Sequence, residues 1–299
     1  MVANNALRRL NKTSILVTDL AAQLWCEKQM ELGYIYGREF TQTMKVGREM
    51  HADLQAEAFE ALAVEPVSYA DYLYKLGYEA HLSLERLVEK KICRELKIYG
   101  AVNGYKLSGK IDELRINKEG KLVVIEQKTS SMGSRFDETK TRPHRMQVAV
   151  YRKMLGEIKN KLYTYENFAS AYSIDTLFLS PKFAEQLRLL GIAPDIMDLK
   201  VLYKKIFNQI TRLPELSENV EVHYLDRFSG MQIRTMQFKY DADEINAMLR
   251  HLMIYWNGER TAEPVIEGEA WKCKFCKFFG NKCTTWWQKS GANDNQGPT

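Results

Sequence analysis

The stretch from Tyr105 to Thr129, YKLSGKIDELRINKEGKLVVIEQKT, constrains this chain more than any other. Two apolar-rich runs flank Asn117-Lys118-Glu119-Gly120, a turn cluster whose glycine takes positive φ at little cost, so the stretch predicts a β-hairpin. If Ile116 pairs with Lys121, antiparallel counting places Asp112 within one residue of lying opposite Glu126. Side chains alternate along a strand, so Glu126 and Lys128 share a face while Gln127 points away. Two carboxylates and an ammonium then meet on one sheet surface. Carboxylates that close repel unless a hard divalent cation sits between them, and Mg²⁺ prefers oxygen ligands. A solvated hairpin edge could carry the same charges with no chemistry. Against that, Val123, Val124 and Ile125 form a continuous apolar run, which suits a strand buried on both faces, and charges ending such a strand need a reason.

With 299 residues, 45% of them hydrophobic, the chain can bury a core in one large unit or two small ones. No apolar run approaches the ~20 residues that span a bilayer, and no apolar segment of the secretory kind follows the N-terminus. The expectation is an intracellular protein of the nucleus or cytoplasm, with no membrane partner. Arg8, Arg9 and Lys12, with no acid in the first 18 residues, are compatible with a mitochondrial presequence or with a basic arm over residues 1–16. A net charge of +5 is modest, so affinity for nucleic acid must come from local patches. One patch runs from Lys272 to Lys289, with five lysines and no acid; another comprises Lys140, Arg142, Arg145, Arg152 and Lys153. An ordinary solvated face is the alternative reading of both.

In chain order, Thr18 or Asp19 caps a predicted helix through LAAQLWCEKQMELG, with Gly33 as its stop. Helices are expected over Val46 to Leu62 and Asp71 to Lys91, then a strand over Arg94 to Val102 feeding the hairpin. A helix from Pro143 to Ile158 follows, with Pro143 in its first turn, and Gln147 and Tyr151 share one of its faces. Beyond it come a strand over Thr176 to Ser180 and helices over Pro181 to Leu190 and Ile196 to Leu213. A hairpin over Val220 to Tyr240, turning at Ser229-Gly230, and a helix from Asp241 to Trp256 complete the pattern. Residues 17–289 read as one domain and 290–299 as a disordered tail.

Five cysteines in an intracellular chain argue for metal ligation rather than a disulfide framework. Cys273, Cys276 and Cys283 form a C-x₂-C-x₆-C group. Structural zinc sites and cubane iron–sulfur clusters usually take four ligands, so Cys26 or Cys93 must supply the fourth. Cys26 is favoured, because Cys93 beside a core strand reads as a buried thiol. Such a site would staple the N-terminal helix to the C-terminal loop.

The ordered set Gly47-x₃-His51, Glu95, Gly109-x₂-Asp112, Glu126-x-Lys128-Thr129 and Gln147-x₃-Tyr151 resembles the RecB-like branch of the PD-(D/E)XK nucleases. One early and three late cysteines narrow the resemblance to the iron–sulfur members. The blocks VTDLAAQLWCEKQ, RELKIYG, GKIDEL, IEQKTS and RMQVAVYRKML are similar to those of the exonuclease V family, and the likeness runs from about Val17 to Cys283. Glu126 stands where such strands often carry Asp; either carboxylate fits that position.

The resemblance implies an α/β fold of the PD-(D/E)XK, restriction-endonuclease-like kind, a mixed-sheet core flanked by helices with a helical cover. It further implies a [4Fe–4S] cluster on Cys26, Cys273, Cys276 and Cys283, joining the two ends of the chain. It implies a Mg²⁺-dependent exonuclease on single-stranded DNA, in DNA repair or genome maintenance, with Mn²⁺ able to substitute. Asp112, Glu126, His51 and the Gln127 carbonyl would hold the metal, and Lys128 would position the attacking hydroxide or stabilise the transition state. Gln147 and Tyr151 would orient substrate or brace the site, with Glu95 a helper. A channel too narrow for duplex, with Tyr69, Tyr72 and Tyr74 as stacking platforms, would select single strands. A monomer is expected, with a single-strand-binding protein as partner. Two rivals remain: a RecB-type nuclease trimming DNA ends for CRISPR spacer acquisition, and a zinc-stabilised nucleic-acid-binding protein whose carboxylates are structural.

Overall fold

The computed structural model describes residues 5–38 and 62–284. The expected helix over Val46 to Leu62, with Gly47 and His51, falls almost wholly outside the described residues.

The predicted hairpin forms the middle of a six-stranded mixed sheet. Its strands are β3 (Tyr105–Ile116) and β4 (Leu122–Ser130), antiparallel, with Ile116 opposite Leu122. Gly120 has φ +73°, as the turn requires. β2 (Ile92–Val102) runs along one edge of β3, so the other edge is shared. There β1 (Ile15–Leu16) pairs in parallel with Leu107 and Ser108, while β4 pairs only from Glu113 to Ile116. Residues 109–112 of β3 therefore have no strand on that edge. The sheet opens there. Beyond β4 lie β5 (Asn219–Asp226), parallel to it, and β6 (Gln232–Lys239), antiparallel to β5. β4 is thus interior, and every residue from Leu122 to Gln127 is buried, as its apolar run predicts.

Helices cover the sheet. α1 (Ala6–Arg9) buries Ala6 and Leu7, and α2 (Val17–Tyr36) follows β1 directly. Leu16, not Thr18 or Asp19, is the N-cap of α2; the Asp19 carboxylate accepts from the Leu16 N–H at 2.9 Å. Gly33 does not end the helix, which runs to Gly37, where φ is +84°. α3 (Tyr69–Lys90) is capped by Ser68 with Asp71 in reciprocal contact.

α4 (Glu138–Lys159) starts earlier than expected because Asp137 caps it, accepting from Lys140 N at 3.0 Å, and Pro143 lies inside the helix. After α5 (Tyr165–Tyr172) the predicted strand over Thr176 to Ser180 is absent. The Ser180 N–H donates to Asp71 Oδ1 at 2.9 Å instead of to a neighbouring strand, and its hydroxyl caps α6 (Pro181–Leu189). α7 (Leu199–Thr211) and α8 (Ala242–Asn257) complete the layers. No described helix is long and apolar enough to cross a membrane.

Candidate active site

At the opening in the sheet the ladder gives way to side chains. The last β3–β4 pair on that side is Glu113 with Ile125, and the next N–H of use, that of Gln127, donates to Asp112 Oδ2 at 2.8 Å. Asp112 thus takes a backbone donor that a continuous ladder would have used; Ile116 pairs with Leu122 rather than the expected Lys121, and this register, extended past Glu113 and Ile125, brings Asp112 level with Glu126, within the one residue expected. The Gln127 side chain points to the other face, as alternation requires, and donates to Glu113 Oε2 at 3.1 Å.

Glu126 is 1% exposed. Its Oε1 accepts from Lys128 Nζ at 2.5 Å and from Gln147 Nε2 at 2.6 Å, while Oε2 is buried with no hydrogen-bond donor. Burial, and then the Asp112 charge, push the Glu126 carboxyl well above the usual carboxylate range, although Lys128 opposes them. Burial would lower the Lys128 ammonium, but the charges of Glu126 and Asp112 outweigh it and hold Lys128 above its ordinary value. Lys128 also donates to Gln147 Oε1 at 3.2 Å. One turn further along α4, Tyr151 is buried against Gly109; burial, then Glu126 and Asp112, raise its phenol. Asp112, Glu126, Lys128, Gln147 and Tyr151, named from sequence, form one constellation. His51 lies outside the described residues. Glu95, on β2, takes φ +55° and pairs with Lys110 at 3.2 Å.

His144 was not singled out from sequence. It lies three residues before Gln147, so the helical repeat puts it on the same face. Its Nδ1 is 3.1 Å from the Tyr224 hydroxyl, and burial, followed by the Lys128 charge, lowers its pKa to about 3. The imidazole is therefore neutral, and it is one wall of the Lys128 environment.

A second cavity is lined by all four sulfurs expected together, Cys26, Cys273, Cys276 and Cys283. Cys93 is elsewhere, 2% exposed on β2, with burial raising its thiol to about 12. Cys26 is an extended residue interrupting α2 (φ −167°, ψ 107°), and its Sγ accepts from Gln29 N at 3.4 Å, so it caps the second half of the helix. Burial, then the neighbouring thiols, raise Cys273 to about 11. The C-terminal segment is fixed to α2 by Lys272 Nζ donating to the Trp25 carbonyl at 2.9 Å and by Arg260 on Glu27 Oε2 at 2.9 Å. Among the described residues, no three His, Cys, Asp or Glu side chains form a group that could hold a metal ion by themselves.

The basic patch on α4 is a set of structural contacts. Arg142 donates to the Leu24 carbonyl at 3.2 Å, Arg145 pairs with Glu244 at 3.0 Å, and Arg152 donates to the Ser217 carbonyl at 2.9 Å. Lys153 pairs with Glu157, and Lys140 lies over the Trp271 ring. Tyr74 is fully buried against Phe183 and cannot stack on a base, whereas Tyr69 and Tyr72 are half exposed.

The sequence matches the family described as "Exonuclease V - a 5' deoxyribonuclease" over residues 4–123 and 192–287, more than half of the chain. Asp112 and the four cysteines fall within the match; Glu126, Lys128, Gln147 and Tyr151 fall in the stretch between. A zebrafish (Danio rerio) protein, "Exonuclease V", is 26% identical over 284 residues, covering 91% of this chain and 70% of that protein. The solved structure of SSO0001 aligns over 94% of this chain and 95% of its own at 18% identity, with a TM-score of 0.36. A similarity that low says nothing about the chemistry of this chain.

Proposed function

The chain belongs to the exonuclease V family, and from that premise we propose that it is a metal-dependent exonuclease of single-stranded DNA, acting in repair, with a PD-(D/E)XK core and a [4Fe–4S] cluster. One observation carries this reading: Glu126 is buried with Oε1 doubly hydrogen-bonded and Oε2 left without a donor, beside a second carboxylate. A buried carboxylate oxygen without a partner is costly, and a hard divalent cation is the partner this donor set fits. Asp112 and Glu126 would hold Mg²⁺, with the Gln127 carbonyl and His51 as further ligands. When bound, the ion would acidify water and offset charge on the scissile phosphate.

The chain's own residues supply the rest. Lys128, kept cationic by two carboxylates, is fixed by Glu126 and Gln147, so its charge is preorganised toward a phosphoryl oxygen that gains charge during attack. Gln147 hydrogen-bonds both Glu126 and Lys128, and Tyr151 packs the helix that carries Gln147 against Gly109 of β3. The description of the family as a 5′ deoxyribonuclease supports attack from the 5′ end.

For the thiol cavity the fit rests on chemistry and spacing. Zinc gathers its four sulfurs ~2.3 Å from one centre, whereas a cubane cluster gives each thiolate its own iron and tolerates a wider ring. Four cysteines that line one cavity supply the ligand number of either group, and the likeness to the iron–sulfur nucleases favours the cluster.

The test is digestion of single strands labelled at either end, with and without Mg²⁺ or Mn²⁺. The wild type should release label from one end, only with metal, and Asp112→Ala and Lys128→Ala should each lose about 10²–10³-fold in kcat, by analogy with removal of one transition-state donor. Undiminished cleavage by either variant sinks the site assignment. A chain that binds DNA, carries zinc and cuts nothing would support the binding-protein rival.

A further inference from the structure

A further cavity among the described residues is at neither the carboxylates nor the thiols. It lies between α2 and the cysteine-rich segment, measures about 410 Å³, within the ~300–1,000 Å³ of ordinary ligand sites, and has Trp25, Tyr34, Phe275 and Phe278 in its wall with Arg38 and Lys277. The lysine-rich run that begins at Lys272, whose own ammonium is bound to the Trp25 carbonyl, reaches this wall at Lys277. We propose that this cavity binds unpaired nucleotides of single-stranded DNA, the exposed Phe275 ring stacking on a base and its cations meeting phosphates. The inference rests on the reading of the chain as a single-stranded DNA nuclease.

Rings and cations are interleaved here, not segregated. In the lining, Lys277 Nζ lies 5.1 Å from the Phe278 centroid, and two cations outside it also meet rings, Lys12 Nζ 4.1 Å from Tyr34 and Lys282 Nζ 5.0 Å from Tyr36. Alternating π-faces and positive charge is the composition that takes single strands irrespective of sequence, since every base has a π-face and every linkage a charge. The acid in the wall offsets the Lys12 charge, which leaves Arg38 and Lys277 as the cations of the lining. Asp19 is already committed to Lys12 at 3.1 Å, to the Tyr34 hydroxyl at 2.5 Å and to the Leu16 N–H.

A structural explanation accounts for only part of this. Trp25 and Gln29 line the thiol cavity too and would be kept for that reason alone. Phe275 is 77% exposed and shields nothing, yet it stands beside Cys276 at the mouth of the cavity. The location also suits a strand leading to the carboxylates. Trp271 meets Trp25 edge-on at 5.6 Å and lies under Lys140, and seven residues along α4, ~10 Å of helix, is Gln147.

The experiment is fluorescence anisotropy of a labelled oligothymidylate on the full iron-loaded chain in EDTA, so that nothing is cut, with iron content measured in parallel. Phe275→Ala should weaken binding about 5- to 100-fold and Phe275→Tyr should restore it, at unchanged iron content. Lys277→Ala should lower the slope of log affinity against log salt by about 0.7. A duplex of the same length should bind more weakly and be insensitive to Phe275. The proposal is overturned if Phe275→Ala and Lys277→Ala bind within twofold of wild type, if iron is lost together with binding, or if the tyrosine variant fails as alanine does. A wild-type chain that neither binds nor cuts single strands overturns the functional reading instead, which keeps the two failures apart.

Discussion

Gly109→Ala tests whether close packing of α4 on β3 holds the carboxylate site together. A Cβ at Gly109 would stand 2.4 Å from Tyr151 Cε1 and 3.0 Å from its hydroxyl oxygen, whereas ordinary contact begins at about 3.4 Å. The ring must therefore withdraw by about 1 Å, and at 1% exposure in a close-packed interior Tyr151 has no free space to enter. Gly109 does not have positive φ, so alanine is conformationally allowed and the cost is steric alone. Overpacking of this kind costs about 1–3 kcal/mol. Gln147 is one turn away and holds both Glu126 and Lys128, so the shift carries into the site, where a ~1 Å misplacement costs up to ~10²-fold in rate. Urea unfolding should register the lost stability, and the end-label assay the lost rate. In the Gly109→Ala background, Tyr151→Leu should relieve the clash, giving a favourable coupling of about 1 kcal/mol or more in a double-mutant cycle. Strictly additive energies, or a Gly109→Ala chain of full stability and activity, would refute the reasoning.

Two further outcomes are expected. Cys26→Ala should lose iron and the cluster's visible absorbance, while Cys93→Ala, altering a thiol buried away from the cavity, should keep both; the opposite result reassigns the fourth ligand. His144, whose pKa burial and Lys128 lower to about 3, takes its proton in the unfolded chain first. Its contribution to stability is therefore complete above about pH 6.5 and is lost as pH falls toward 3, by at most ~1.4 kcal/mol per pH unit. In urea unfolding across pH 7 to 4, His144→Asn should show a shallower loss than wild type, and parallel curves would exclude the assignment.

Local chemistry in the sequence was enough to place the hairpin. A turn glycine, an apolar run and alternation fixed which side chains share a face, and the count from the turn brought Asp112 within one residue of Glu126, although its starting pair, Ile116 with Lys121, is shifted by one to Ile116 with Leu122. What it could not show was the interrupted ladder at residues 109–112, because that gap arises where β1 leaves off and β4 has not yet begun, two segments about a hundred residues apart. Pro143 misled for a local reason: a proline marks a favoured start, but Asp137 offered the stronger cap one and a half turns earlier. The segment from Thr176 to Ser180 has strand-like composition, yet Asp71, more than a hundred residues away, takes the N–H a strand would need. The arginines of α4 read as a solvated or DNA-binding face, and only tertiary contact shows them bound to carbonyls and acids. His144 was legible in principle, since its spacing from Gln147 is helical, but nothing in the sequence distinguishes it from a surface histidine.

The two chemical centres share one rigid element. Near its start α4 is tied to the cysteine-rich lobe, with Arg142 on the Leu24 carbonyl at 3.2 Å and on Glu269 at 3.5 Å, and with Lys140 over Trp271. Five residues after Arg142, about 7.5 Å along the axis, Gln147 holds Glu126 and Lys128. A helix transmits such a displacement with little loss. Loosening the cysteine segment should therefore shift Gln147 and degrade the carboxylate site, while neutralising Asp112 or Lys128 leaves the Arg142 and Lys140 contacts untouched. Loss of activity in a cysteine variant would then be no measure of catalysis by the proposed cluster, and only variants that keep the proposed iron would report on the chemistry of Asp112, Glu126 and Lys128.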